Sequence, residues 1–324
     1  MDEIRQIARA VLYEGYLLWP YRESALKNRH RWTIGGVHPG WYDGGRCRMR
    51  TQCLVEAGPD DTVEVCVRFL HVVARGRGEE AREREVSARV LTLGGGSVRT
   101  EIDLTAGEER EGEVPHRWEA LRGHVEVAAE PLGPGLFRIT ADLVNTTPEP
   151  APDTRAPDTQ APGTRDLGTG DVGTRDLGTR DQARARVEAL ARTFVSAHAV
   201  LHVPRGRFVS LMDPPEHLRE HAAGCRNDGA WPVLVGADLR TMLASPIILY
   251  DHPRIAQESP GDLFDATEID QLLTLSVLAL SDGERAEIRD GDPRAREILD
   301  RCTALTEEQL MRLHGIMRKT EPTP

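Results

Sequence analysis

Apolar residues recur along this chain with two periods, and the change from one to the other marks its organisation. Over residues 3 to 18, Ile4, Ile7, Val11 and Leu12 fall at helical spacing. They predict an amphipathic helix ending ahead of Trp19-Pro20, because the residue before a proline is driven out of the α region. Beyond Gly45 the period drops to two. In TVEVCVRFLHV, Val63, Val65, Val67 and Phe69 alternate with Glu64, Cys66 and Arg68, which turns one face to a core and the other toward solvent. Similar runs at 49 to 56, 86 to 93, 98 to 104, 122 to 129 and 136 to 144 are separated by GPDD, RGRGEE, LGGGS and PLGPG, which are turn compositions. They predict an antiparallel sheet.

After Thr147 the alternation gives way to APDTRAPDTQAPGTRDLGTGDVGTRDLGTRD, a near-repeat with almost nothing apolar to bury. Ordering it would cost about 1 to 2 kcal/mol per residue in backbone entropy without return, so 147–182 reads as a disordered insert. It serves either as a linker between domains or as a long loop within one. The strand pattern resumes in LHVPRGRFVSLMD, which predicts a hairpin and favours the loop, since closure cost grows only logarithmically with length. A short helix from Asp213 to about Ala223 and strands at 231 to 235 and 245 to 250 follow. Helix starts are then signalled at Thr267, at Ser281 with Glu284, at Asp292-Pro293 and at Thr306 with Gln309.

The expected fold is α+β: an antiparallel β-sandwich-like or bent-sheet core with an N-terminal helix and a C-terminal helical region, interrupted by the disordered insert. In segments, 1–146 holds the helix, an aromatic stretch and the first part of the β domain, 147–182 the insert, 183–250 the rest of the β domain, and 251–324 an acidic loop and the helical region.

Charge and composition narrow the function. A net charge of -11 gives no positive field to displace counterions from phosphates, so nucleic acid is not an expected partner. No run approaches the roughly 20 apolar residues of a spanning helix, and the acidic N-terminus lacks a signal-peptide pattern. Cys47, Cys53, Cys66, Cys225 and Cys302 are odd in number and scattered, which suits reduced thiols in the cytoplasm. No phosphate-binding loop or nucleophile elbow is present.

Three stretches carry candidate chemistry. EGYLLWPYRESALKNRHRWTIGGVHPGWYDGG gathers Trp19, Tyr21, Trp32 and Trp41 with arginines, the mixture found at interface hot spots, or else rings that pack an irregular segment onto the sheet. In PPEHLREHAAGC, His217, His221 and Cys225 recur every four residues and so share a helix face that could ligate a divalent metal. The alternative is surface histidines beside a helix end at Gly224. In SPIILYDHPRIAQESPGDLFDATEID an apolar strand delivers Tyr250, Asp251 and His252, followed by Glu258, Asp262, Asp265 and Glu268. These groups suit partner recognition, turn formation, or metal-dependent acid-base work.

Taken together, GYLLWPYRESALKNRHRWTIGGVHP, FVSLMDPPE, CRNDGAWPVLVG and SPIILYDHPRIAQESPGDLFDATEIDQLLTL resemble an uncharacterised bacterial family associated with NiFe hydrogenase gene clusters. The resemblance implies an accessory protein for assembly, maturation or operation of the hydrogenase, partnered by its subunits or maturation factors. It transfers no residue roles. The leading expectation is therefore a non-catalytic docking protein whose partner surface holds Trp19, Tyr21, Trp32, Trp41, Tyr250, Asp251 and His252. The second is a metal-dependent enzyme using Asp251, His252 and Glu258, or the 217/221/225 face.

Overall fold

The computed structural model describes residues 2–14, 33–75, 78–150, 184–254 and 281–290, with 296, 299–300 and 303–304. Helix α1 (Asp2–Glu14) forms where the apolar spacing places it; the expected residues 15–18 lie outside the described chain. Period two then yields β1 (Arg48–Glu56), β2 (Thr62–Arg75), β5 (Ser97–Leu104), β8 (Leu121–Gly133) and β9 (Leu136–Asn145). Helix α2 (184–190) precedes β10 (Val195–His202) and β11 (Arg207–Val209). Helix α3 (Arg219–Ala223), β12 (Trp231–Val235), β13 (Thr241–Ser245) and α4 (Asp282–Asp290) complete the order.

The strands form two antiparallel sheets. One has the order β11-β1-β9-β8-β5; the other runs β12-β13-β10-β2 and continues into two further strands described below. Alternation turns Met49, Cys53, Val55, Val127, Ile139 and Leu143 of the first sheet inward, against Val65, Val67, Phe69, Ala199, Leu201 and Met242 of the second. All are buried in one common cluster, closed at one end by Phe69 and Phe194, whose ring centroids lie 4.6 Å apart. β10, which follows the repetitive tract, pairs with β2, which precedes it. The disordered reading of 147–182 falls almost wholly outside the described residues.

Several boundaries differ from expectation for identifiable reasons. The strand expected over 86 to 93 is two pieces, β3 (Gly78–Ser87) and β4 (Leu91–Thr92), because the chain turns inward at buried Ala88, whose N–H reaches the Val65 carbonyl. β3 extends back through GEEAREREV, which lacks apolar alternation and instead pairs charge across strands, Arg68 with Glu83 and Glu85. The arm β6 (Gly107–Glu111) and β7 (Val114–Trp118) is equally polar; β7 pairs with β6 and with the far end of β2. No hairpin joins β10 and β11. β10 pairs with β2 and β13, β11 with β1, so Val203 to Gly206 cross from one sheet to the other, and Gly206 takes a φ of +91° against the Glu56 carbonyl. The strand expected at 245 to 250 is β13, four residues earlier, and Pro246 ends it.

Outside the common core, α1 lays Ile7, Ala8 and Val11 on Val233, Val235 and Leu243, and Leu12 on Leu70, Val72 and Val195. β10 carries a bulge between Val195 and His198, where Ser196 adopts a φ of 52° and its hydroxyl donates to the Val11 carbonyl. At the other end of the tract, buried Asn145 donates to the Val37 and Arg192 carbonyls while its own carbonyl accepts from the Thr147 N–H. One side chain thus ties three distant segments together.

Candidate functional site

Beyond Pro246 the chain rounds the end of β12 and returns along its outer edge. Trp231 opens β12 opposite Ser245, and the Ser245 hydroxyl accepts the Ile247 N–H at 3.0 Å. Asp251 then makes the fastening. Its Oδ1 accepts the Leu234 N–H at 2.7 Å and its Oδ2 the Ser210 hydroxyl at 2.5 Å, while Ser210 Oγ in turn accepts the N–H groups of Met212 and Asp213. The His252 N–H donates to the Leu234 carbonyl at 2.7 Å, and His252 Nδ1–H to the Gly236 carbonyl at 2.8 Å, with His252 held at a φ of 58°.

This arrangement blunts a sheet edge. Leu234 turns its N–H and C=O outward, so by alternation Pro232 does too, and proline has no N–H to offer. A second chain therefore cannot add to β12 as a strand without displacing Asp251 and His252. What the stretch presents instead is side chains: Ile248 is 75% exposed and Tyr250 80%. Trp231 and Ile34 are exposed as well, and Gly35 packs so closely on Pro246 that a Cβ would sit 2.4 Å from the proline ring. Hence the end of the aromatic stretch and the 246–252 stretch are neighbours.

The predicted partner residues divide accordingly. Tyr250 faces solvent, whereas Asp251 works inward as a fastener and His252 is bound through its backbone and Nδ1. Trp41 is half-buried, edge-on to Tyr42 at 6.4 Å. Trp19, Tyr21, Trp32 and Glu258 lie outside the described residues. Sequence reading passed over Ser210, though a serine directly ahead of MDPP is a turn signal that could have found it.

The 217/221/225 face does not form on one helix. His217 sits in a 3-10 turn, His221 in α3, and Cys225 lies beyond Gly224 with its Sγ toward the His221 carbonyl at 3.6 Å. Among the described residues no three His, Cys, Asp or Glu side chains converge to hold a metal. Burial pushes the Cys66 thiol up to about 12 and the Cys53 thiol higher still, and it also raises Cys225, the opposite of what a nucleophile needs. Burial likewise depresses His71 and His198 to about 4, keeping both neutral. A cavity of roughly 270 Å³ under the start of α1 is lined by Arg5, Cys66, Arg68, Glu85, Val200 and His202. Its Arg68 is already paired with Glu83 and Glu85.

The chain matches no protein-family model and no curated protein. Among the described residues, no helix is long and apolar enough to cross a membrane.

Proposed function

We propose that this protein is a non-catalytic accessory factor on a sandwich-like scaffold, working in the cytoplasm and docking a protein partner through the surface around Trp231, Ile248 and Tyr250. The observation that carries the reading is the combination of two almost fully solvated apolar side chains with a backbone pinned by Asp251 and His252. A large side chain on a fixed backbone loses little entropy on binding, which is how hot-spot residues gain their weight. The enzyme alternative draws on the same residues but finds them occupied. Both Asp251 oxygens accept protein hydrogen bonds, and His252 Nδ1 is committed to a carbonyl.

The partner follows from the resemblance to a hydrogenase-associated family: a NiFe hydrogenase subunit or one of its maturation factors. The test is calorimetric titration of the purified protein against each of these from the same host. Binding by the wild type, weakened at least tenfold in an Ile248→Ala, Tyr250→Ala variant of unchanged melting temperature, is the expected result. Absence of binding to every one of them, or equal binding by the variant, would overturn the proposal.

A further inference from the structure

The cavity below the start of α1 is made by small side chains. Glu64, Cys66 and Arg68 alternate outward along β2, and register sets His202 of β10 opposite Glu64, Val200 opposite Cys66, and Ser87 of β3 on the other flank of Cys66. Arg5 and Ala8 of α1, one turn apart on one helix face, supply a wall above this floor. Ile7 and Val11 fill the neighbouring space over Val233 and Leu243, but Ala8, Cys66, Ser87 and Ala88 are too short to close this one. About 270 Å³ stays open.

The lining is aliphatic between charges. Val65, Val90 and Val200 join the two alanines, and no Phe, Tyr or Trp among the described residues takes part. Of the four guanidinium and carboxylate side chains in the lining, Arg68 and Glu85 pair with each other at 3.3 Å. Arg5 and Glu64 are left over. Among the described residues neither makes an ion pair or a hydrogen bond, with the other or with any third group, and both are open to an incoming solute. A cavity of about 150 Å³ admits benzene, so this one has room for a molecule of roughly ten non-hydrogen atoms.

We infer that this cavity binds a free aliphatic α-amino acid, with its carboxylate on Arg5 and its ammonium on Glu64. A lone anion would meet the Glu64 carboxylate and a lone cation the Arg5 guanidinium, whereas a zwitterion answers both. The aliphatic lining takes the side chain, and leucine is of the size that the space admits. Trp231, Ile248 and Tyr250 do not line the cavity, so this site stands or falls apart from the docking reading.

The experiment is NMR of the 15N-labelled full chain at pH 7.5, titrated with L-leucine. Saturable shifts centred on the amides of Cys66, Ser87 and Ala88 are expected. Isocaproate, which lacks the ammonium, and isoamylamine, which lacks the carboxylate, should each bind about fivefold more weakly, as for the loss of one solvent-exposed ion pair. Arg5→Gln should weaken leucine by the same factor and leave the amine unaffected; Glu64→Gln should weaken leucine and spare the acid. Cys66→Leu, which fills the floor from a position bearing neither charge, should abolish the shifts at an unchanged melting temperature. Wild type without saturable leucine binding, or leucine affinity unchanged in both charge variants, would overturn the inference.

Discussion

The outward faces of the two sheets solve the same burial problem in opposite ways. On the five-stranded sheet the outward positions around Arg48 to Gln52 are polar and satisfy one another across strands, and only Leu54, Leu136 and Val209 at the other end are covered, by Leu218 and Ala222. Asp142 accepts from Arg48 at 2.9 and 2.5 Å and from Arg50 at 2.9 and 3.0 Å, and Gln52 Nε2 donates to Thr140. On the eight-stranded sheet the corresponding positions near β12, β13 and β10 are apolar, and α1 is required to cover them. A self-paired polar face needs no second layer, whereas an apolar one recruits a helix from the N-terminus and leaves uncharged histidines, His198 among them, with no water to solvate a proton.

That difference is broken most strongly by acid. His71 and His198 of the covered sheet are fully buried and titrate near 4 when folded, against 6.5 as an ordinary side chain. Between those values the unfolded chain binds the proton and the native one does not, so stability is complete above about pH 6.5 and falls as pH drops toward 4. At pH 5 each histidine removes about 2 kcal/mol, and urea midpoints at pH 7.5 and 5 measure the sum. A His198→Gln variant should lose about half of the decline; an unchanged slope would refute the assignment. Next in size is the helix cover itself. Leu12→Ala empties a fully buried site between α1 and Leu70, Val72 and Val195, and should cost about 3 kcal/mol in chemical denaturation.

The two faces were also unequally legible. β1, β5 and β9 announce themselves because polar outward residues make the period of two visible, and α1 because its apolar stripe is narrow. β12 and β13 are buried on both sides, so WPVLV and TMLAS carry no alternation; β12 was still placed at 231 to 235, whereas the apolar PIIL run drew the second predicted strand past its true end at Pro246. β3, β6 and β7 escaped for the converse reason: their residues meet across strands as Arg–Glu pairs, Arg68 with Glu83 and Arg82 with Glu109, and show no apolar alternation. Of the site, Tyr250 was named from sequence, but the inward role of Asp251 depends on Ser210 and Leu234, which are distant in the chain.

The polar face is sharpened by Asp142→Asn. Burial alone would raise the Asp142 carboxyl, but hydrogen bonds from Arg50 and Arg48 outweigh it and hold the carboxyl below its ordinary range. Loss of the charge leaves two part-exposed guanidiniums without their anion, and a cost of about 1 to 2 kcal/mol in urea denaturation is expected. A cost as large as that of Leu12→Ala would mean that this face is not self-sufficient after all.

The smallest effect concerns what the two sheets share, since each draws strands from both sides of the repetitive tract. Asn145 holds the exit of that tract beside its return, through the Val37 and Arg192 carbonyls. The two ends are therefore fixed by the fold and not by the residues between them. Replacing 151–183 with about six glycine and serine residues shortens the closed loop by about two halvings, each worth about 0.6 kcal/mol of closure entropy. The variant should unfold in one cooperative step and be more stable than the parent by about 1 kcal/mol. Loss of cooperativity would show instead that β10 needs the tract in order to reach β2.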